Sequence, residues 1–440
     1  MNARCAAFIS LKKYAAAGKY LNIETDAAIR KTGLEGADKN LYTALVFGTA
    51  EKQITLDYII SKLSNKPLSS IDENVLIVLR MSIYQLMFFD RVPDHAVLNE
   101  AGELAKRFAK NASVSFVNAV LREFLRRDKK VAFPDKNGDF IYYLSITYSF
   151  PEWICSLFLR GYGKEKCEEI LAAMQSDPPY MTLRANTLKI SRDELIKKLS
   201  DAHIKSKPSP LVKTAVCLCD RISYEELESV CKGEFMVQDA ASQIAVLSLG
   251  AECGDLVLDL CSAPGSKAFG AAMEMKNCGK IAAYDLHQSK ISLIKNGAEN
   301  YGITIIDAEA KDATKEDESL FEIADKVICD VPCSGLGVMQ KKPDIRHKNP
   351  SDIERLPNIQ AKILENAAKY TKKGGVILYS TCTLSPDENE KQIENFLSSH
   401  KDFSLCKIDI DTFKCDGMHT FFPSDGTDGF FIAKLKKIEA

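Results

Sequence analysis

The sequence has a single Trp, no CxxC pair, no apolar run near the roughly 18 residues that cross a bilayer, and no excess of either charge. Each lack excludes something. With 58 Lys+Arg against 60 Asp+Glu the formal net charge is -2, so no global basic field announces a nucleic-acid partner, and any such partner must use a local patch. The 14 Cys lie scattered over 440 residues without CxxC spacing, which disfavours zinc quartets and thioredoxin-like redox motifs. Cys5, Cys155, Cys167, Cys231 and Cys278 read as reduced thiols packed as small hydrophobes. The stretch MNARCAAFISLKKYAAAGKY has no signal-like apolar run, so the expectation is a cytoplasmic protein with no membrane and no metal partner. Neither GxGxxG nor GxxxxGK[ST] occurs, which removes the dinucleotide fingerprint and the P-loop.

What is present, 46% hydrophobic and 27% charged residues, describes a folded chain long enough for two to four domains. Residues 1–140 carry apolar positions at spacings of three and four and predict an all-helical domain. In SSIDENVLIVLRMSIYQLMFF, Ser70 and Glu73 have capping-box spacing, and Val75, Leu76, Leu79, Ile83 and Leu86 form one apolar face. A helix from Ser113 to Arg127 turns Phe116, Val117, Val120, Leu121, Phe124 and Leu125 inward. Around it stand Lys106, Arg107, Lys110, Arg122, Arg126, Arg127, Lys129 and Lys130, opposed only by Glu123 and Asp128, a local patch suited to phosphates. PDKNGD at 134–139 reads as a linker. Residues 141–239 mix helices with the short strands MTLRAN, AVCLC and EFMVQD, a small α+β domain. Over 240–440 the runs DLVLDLC, KIAAYDL, ITIIDAE, KVICDVP and GGVILYST alternate with helices and predict a doubly wound, Rossmann-like α/β domain. FFIAKLKK is an added antiparallel strand.

The first strand of that domain runs into LDLCSAPGSKAFG, where Gly265 at a helix start lets backbone approach a ligand at a strand's carboxyl end. Asp259, Asp285 and Asp312 close three successive strands, Asp285 twenty positions after Gly265, where such folds hold ribose hydroxyls. Carboxylates for ribose and adenine without a phosphate cradle fit S-adenosyl-L-methionine better than NAD or ATP. Helix packing alone would also explain Gly265.

Two further strands end in CDVPCSGLG and YSTCTLSPDENE, placing Cys333 and Cys382 at the same ligand-binding edge. Ser385, Pro386 and Glu388 have the spacing of a helix start with a capping box, whose dipole would favour a thiolate at Cys382. A thiolate adding to carbon 6 of cytosine turns carbon 5 into a nucleophile able to take an electrophilic methyl group. Asp330, three residues before Cys333, is placed to serve nitrogen 3, and a second group must help remove the carbon-5 proton. His287 reads as a solvent-facing helix-start residue, and His347 in KKPDIRHKNP as a neighbour of RNA phosphate.

CSAPGSKA, DVPCSGLG, STCTLSPDENE and KKPDIRHK together resemble the RNA 5-methylcytosine methyltransferases of the NOL1/NOP2/Sun family. The likeness extends over the chain: LYTALVFGTAEKQITLDYIISKL and SFVNAVLREFLRR resemble a NusB-like RNA-binding domain, and LRANTLK with EFMVQDAASQ resembles that family's RRM-like insert. The resemblance implies methylation of small-subunit ribosomal RNA, and a monomer is the expectation, though the sequence leaves the oligomeric state open. The resemblance implies Cys382 as nucleophile, Cys333 as the product-release group, Asp330 on the target base and Lys267 near the substrate. It further implies that Cys261, Ser262, Ala263, Pro264, Gly265, Ser266, Lys267, Asp285, Asp312 and Asp330 bind S-adenosyl-L-methionine. The residues alone leave the roles of the two cysteines interchangeable, and leave transfer RNA as substrate, or a non-catalytic RNA-binding assembly factor, as alternatives. Ser266 stands where the family usually has glycine, and a positive φ there would strain it.

Overall fold

The computed structural model describes residues 2–17, 21–109, 112–176, 181–410 and 412–438. It packs as two units, Met1–Ser176 with Met339–Lys348, and Asp177–Val338 with Asn349–Ala440.

The first unit is all-helical, with helices Ala3–Ala17, Leu21–Thr32, Gly36–Glu51, Gln53–Leu63, Glu73–Phe88, Asp94–Phe108, Ala112–Arg126, Phe140–Tyr148 and Glu152–Ala173, the last broken at Gly163 (φ 76°). Phe8, Tyr42, Leu45, Leu79, Leu104 and Phe124 lie in one core. The apolar stripe of Glu73–Phe88 is inward as expected, with Val75, Leu79, Ile83 and Leu86 buried. Its cap is not the one the spacing suggested. Leu68–Ser70 forms a 3-10 turn in which Ser70 Oγ donates to the Pro67 carbonyl, and Asp72 caps the helix by accepting from Asn74 N at 2.9 Å. On Ala112–Arg126, Val117, Val120, Leu121 and Phe124 are buried while Arg122 and Arg126 face out. Carboxylates interleave this basic patch: Glu123 pairs with both Arg126 and Arg127, and Asp94 with Lys129. Lys110 lies outside the described residues.

The segment Met339–Lys348, distant in sequence, belongs to this unit. Its Arg346 is fully buried, donating from Nη1 to the carbonyls of Glu51 (3.2 Å) and Ser149 (3.3 Å), with its guanidinium 3.9 Å from the Phe150 ring centre. Burial pulls this guanidinium down to about 10. His347, expected beside RNA phosphate, has Nε2 3.2 Å from the Ala50 carbonyl.

Among the described residues the second unit holds a four-stranded sheet, an eight-stranded sheet and a two-stranded hairpin. Strands β1 (Thr182–Ala185), β2 (Ser206–Pro208), β3 (Ala215–Leu218) and β4 (Phe235–Val237) form an antiparallel sheet in the order β2-β3-β1-β4, with helices Arg192–Asp201 and Tyr224–Cys231. The LRAN segment ties it to the larger domain. Arg184, fully buried, pairs with Glu274 at 2.7 Å, and Asn186 Nδ2 donates to the carbonyls of Gly233 and Tyr301.

The larger sheet uses β5 (Leu256–Asp259), β6 (Lys280–Asp285), β7 (Ile306–Ala310), β8 (Ala324–Asp330), β9 (Thr371–Thr381), β10 (Phe403–Leu405), β13 (Met418–Phe421) and β14 (Phe430–Lys437), with β11 (Ile408–Ile410) and β12 (Phe413–Cys415) as a separate hairpin. The order is β10-β14-β9-β8-β5-β6-β7, with β13 on β14. Strands β5 to β9 are parallel, and β14 adds antiparallel to β9, Phe431 opposite Thr381. Helices Ala240–Leu249, Ser266–Glu274 and Gln288–Tyr301 pack into a core on one face, Leu356–Tyr370 and Glu390–Ser399 into that on the other. This is the predicted Rossmann-like layering. The order reverses between β5 and β8, and in such sheets the crevice at the carboxyl ends there is the ligand site.

Cys278, read as a packed reduced thiol, is instead joined to Cys253 in a disulfide. The turns before β5 and β6 bring their Cα atoms to 5.0 Å across a separation of 25 residues that no short motif announces.

Candidate active site

Beyond β5 the chain turns sharply through Cys261–Gly265. Ser262 N donates to the Tyr284 carbonyl (2.7 Å), Gly265 N returns to Ser262 O (2.6 Å), and the Ala263–Pro264 peptide is cis. Gly265 has φ 109°, and a Cβ there would sit 2.3 Å from the Phe269 ring, so only glycine fits. Ser266 opens the helix Ser266–Glu274 and is not among the described residues with positive φ, which removes the strain expected of it.

Asp259, Asp285 and Asp312 stand at or just past the carboxyl ends of β5, β6 and β7. Asp285 Oδ1 accepts from His287 N, and Asp312 Oδ1 from the amide and hydroxyl of Thr314, which sets both carboxylates in place. His287 lies exposed at a helix start, as read. Among the described residues Asp259 is wholly buried with no hydrogen-bond partner on either oxygen, and the Ser262 hydroxyl is buried in the same condition. Burial pushes the Asp259 carboxyl up to about 7, against the pull of nearby Ser262. Buried polar atoms without partners call for donors from outside the chain. The ammonium and hydroxyls of S-adenosyl-L-methionine are such donors, so these residues fit that cofactor.

Lys267, the second residue of that helix and 5% exposed, places Nζ 2.6 Å from Asp330 Oδ2 and 5.1 Å from the Phe430 ring centre. Asp330 Oδ1 accepts from Ser380 Oγ at 2.8 Å, so donors meet both oxygens. The loops after β8 and β9 bring Cys333 Sγ to 3.2 Å from Cys382 Sγ. The Cys333 thiol is held well above the usual cysteine value by its hydrogen bond to Cys382, by burial, and by the charges of Cys382 and Glu388. Cys261, a third thiol at this edge, is raised by burial.

The run Ser385-Pro386-Asp387-Glu388 does not start a helix. The helix begins at Glu390 behind Asn389, and Glu388 is fully buried with Oε2 accepting from Ser334 N at 2.9 Å. The helix start therefore falls later than the spacing suggested, at Glu390 rather than Pro386. The motif buttresses loops instead. Asn389 meets Thr381 Oγ1 at 2.6 Å and donates to Thr383 O, Ser334 Oγ lies 2.6 Å from Thr383 Oγ1, and Gly337 N donates to Cys382 O. A Cβ on Gly337 would meet the Gly429 carbonyl oxygen at 1.9 Å, which is why glycine stands there.

A doubly wound sheet with carboxylates at the cofactor-side strand ends defines a methyltransferase domain, joined to a NusB-type helical domain and a small ferredoxin-like one. The family model described as 16S rRNA methyltransferase RsmB/F matches residues 246–436, the NusB family 1–126, and the RsmF/B-like ferredoxin-like domain 150–225. The probable ribosomal RNA small subunit methyltransferase B of Bacillus subtilis is 37% identical over 95% of each chain, and that of Synechocystis 31% identical over 99% of this chain and all of its own. The crystal structure of PH0851 superposes with a TM-score of 0.80 at 26% identity, covering 98% of each chain. The chain belongs to the ribosomal RNA small subunit methyltransferase B family. No helix among the described residues is long and apolar enough to cross a membrane.

Proposed function

We propose that this protein methylates carbon 5 of a cytosine in small-subunit ribosomal RNA, with Cys382 as nucleophile. The observation that carries the reading is the sulfur pair: Cys333 Sγ lies 3.2 Å from Cys382 Sγ, close enough for Cys333 to hydrogen-bond to a Cys382 thiolate. That thiolate adds to carbon 6 of the ring, and the electron pair moves toward carbon 5 and nitrogen 3. The Lys267–Asp330 pair presents a donor and an acceptor to the nitrogen-3 side, where the charge develops. Bound S-adenosyl-L-methionine supplies the electrophilic methyl group. The carbon-5 proton then passes to water and the Cys382 thiolate is expelled, which restores the ring, and Cys333 assists this release by hydrogen-bonding to the departing sulfur. Asp259, Ser262, Asp285 and Asp312 hold the cofactor, with Cys261, Ala263, Pro264, Gly265 and Ser266 shaping the loop. The helical domain and the ferredoxin-like domain hold the RNA, and the target base leaves its stack to reach the pocket.

Nucleoside mass spectrometry of unmodified small-subunit ribosomal RNA and of bulk transfer RNA, each incubated with the protein and S-adenosyl-L-methionine, tests this. The expected result is 5-methylcytosine in ribosomal RNA alone. Modification of transfer RNA alone would change the substrate, and modification of neither, without cofactor binding, would leave an RNA-binding factor.

A further inference from the structure

Cys333 sits in a loop, yet buried side chains hold the peptide groups on both sides of its Cα. On the amino side the Pro332 carbonyl accepts from Gln360 Nε2 at 2.9 Å. On the carboxyl side Ser334 N donates to Glu388 Oε2 at 2.9 Å. Gln360 Nε2 also donates to that same Oε2, again at 2.9 Å, so the two holding groups are bonded to each other. Both are fully buried, Gln360 projecting from helix Leu356–Tyr370 and Glu388 from the loop that follows Cys382.

Planar peptides leave only φ and ψ of Cys333 between these two anchors, so fixing both planes fixes the direction of its Cβ. The carboxylate makes these bonds charge-assisted and worth more than neutral ones. Because Glu388 belongs to the loop of Cys382, the same clamp sets one sulfur against the other. We propose that Gln360 and Glu388 are positioning residues for Cys333, holding its sulfur opposite Cys382 so that it can act in product release. The proposal rests on the reading of Cys382 as nucleophile and Cys333 as release group.

The test uses the full chain and two readouts, one independent of catalysis. Phenylarsine oxide condenses with two adjacent thiols, forming two As–S bonds and releasing one water, and peptide mass mapping locates the bridge between Cys333 and Cys382. In Glu388→Gln and in Gln360→Met this bridging slows, and kcat for methylation falls roughly 10- to 100-fold, as for misplacement of a reacting group, with KM for RNA unchanged. The denaturation-resistant RNA adduct persists in both, as it does in Cys333→Ala. Wild-type bridging rates and adduct lifetimes in the single variants would overturn the clamp. If Glu388→Gln does not fold, Gln360→Met decides by the same criterion. A wild-type chain that bridges its thiols but methylates nothing would sink the functional reading, and the bridging rates alone would then decide for or against the clamp.

Discussion

Asp259 shows how one residue's environment sets a stability term. Its folded value of about 7 lies above the ordinary aspartate value of 3.8, so the native state binds the proton more tightly than the unfolded chain. Stability from this group is therefore fully present below pH 3.8 and is lost as pH rises toward 7. Asp259→Asn should remove that slope, and denaturation midpoints of ligand-free protein at pH 5 and pH 8 should lie closer together in the variant than in the wild type. Equal spacing in the two proteins would contradict the assignment. The full shift corresponds to an upper limit on the order of 4 kcal/mol. At this scale Asp259, Asp285, Asp312, Cys333 and Cys382 were legible because strand ends in a doubly wound sheet converge on one edge. Glu388 was misread because Ser385 to Glu388 satisfies a local capping rule, while its actual partner, Ser334 N, lies 54 residues away. Gln360 carried no signal at all, being one polar residue on a largely apolar helix face.

Among elements, the long helices and the parallel strands declared themselves through period and composition. The strands β10 to β13 did not, since each has only three or four residues and owes its pairing to β14 or to its hairpin neighbour. The start of helix Glu73–Phe88 separates two rules directly. Ser70 fits the capping-box spacing, but Asp72 makes the bond to the helix amide. Asp72→Ala should cost about 1 kcal/mol in denaturant unfolding, the usual value for a lost cap, and Ser70→Ala a few tenths at most. The reverse order would return the cap to Ser70. The loops after β8 and β9 behave as one element, stitched by Gly337 N to Cys382 O and by Ser334 to Thr383, so the sulfur pair inherits the rigidity of the sheet ends.

The order of the domains was readable from changes of pattern along the chain, from helical to mixed to alternating strand and helix. The exception at molecular scale is Met339–Lys348. By sequence it lies between Cys333 and helix Leu356–Tyr370, yet it packs in the all-helical unit with Arg346 buried among carbonyls. Its PDIRHK run gave no hint of this, because an Arg in a charged loop reads as solvated until its partners, 197 and 295 residues away, are in view. The account of the whole molecule rests on a covalent step at Cys382. The most direct measurement incubates wild type, Cys382→Ala and Cys333→Ala with S-adenosyl-L-methionine and small-subunit ribosomal RNA, then resolves protein from RNA–protein adduct on a denaturing gel. The account predicts a stable adduct with Cys333→Ala, none with Cys382→Ala, and turnover without accumulation in the wild type. An adduct with Cys382→Ala and none with Cys333→Ala would contradict it and exchange the roles of the two sulfurs.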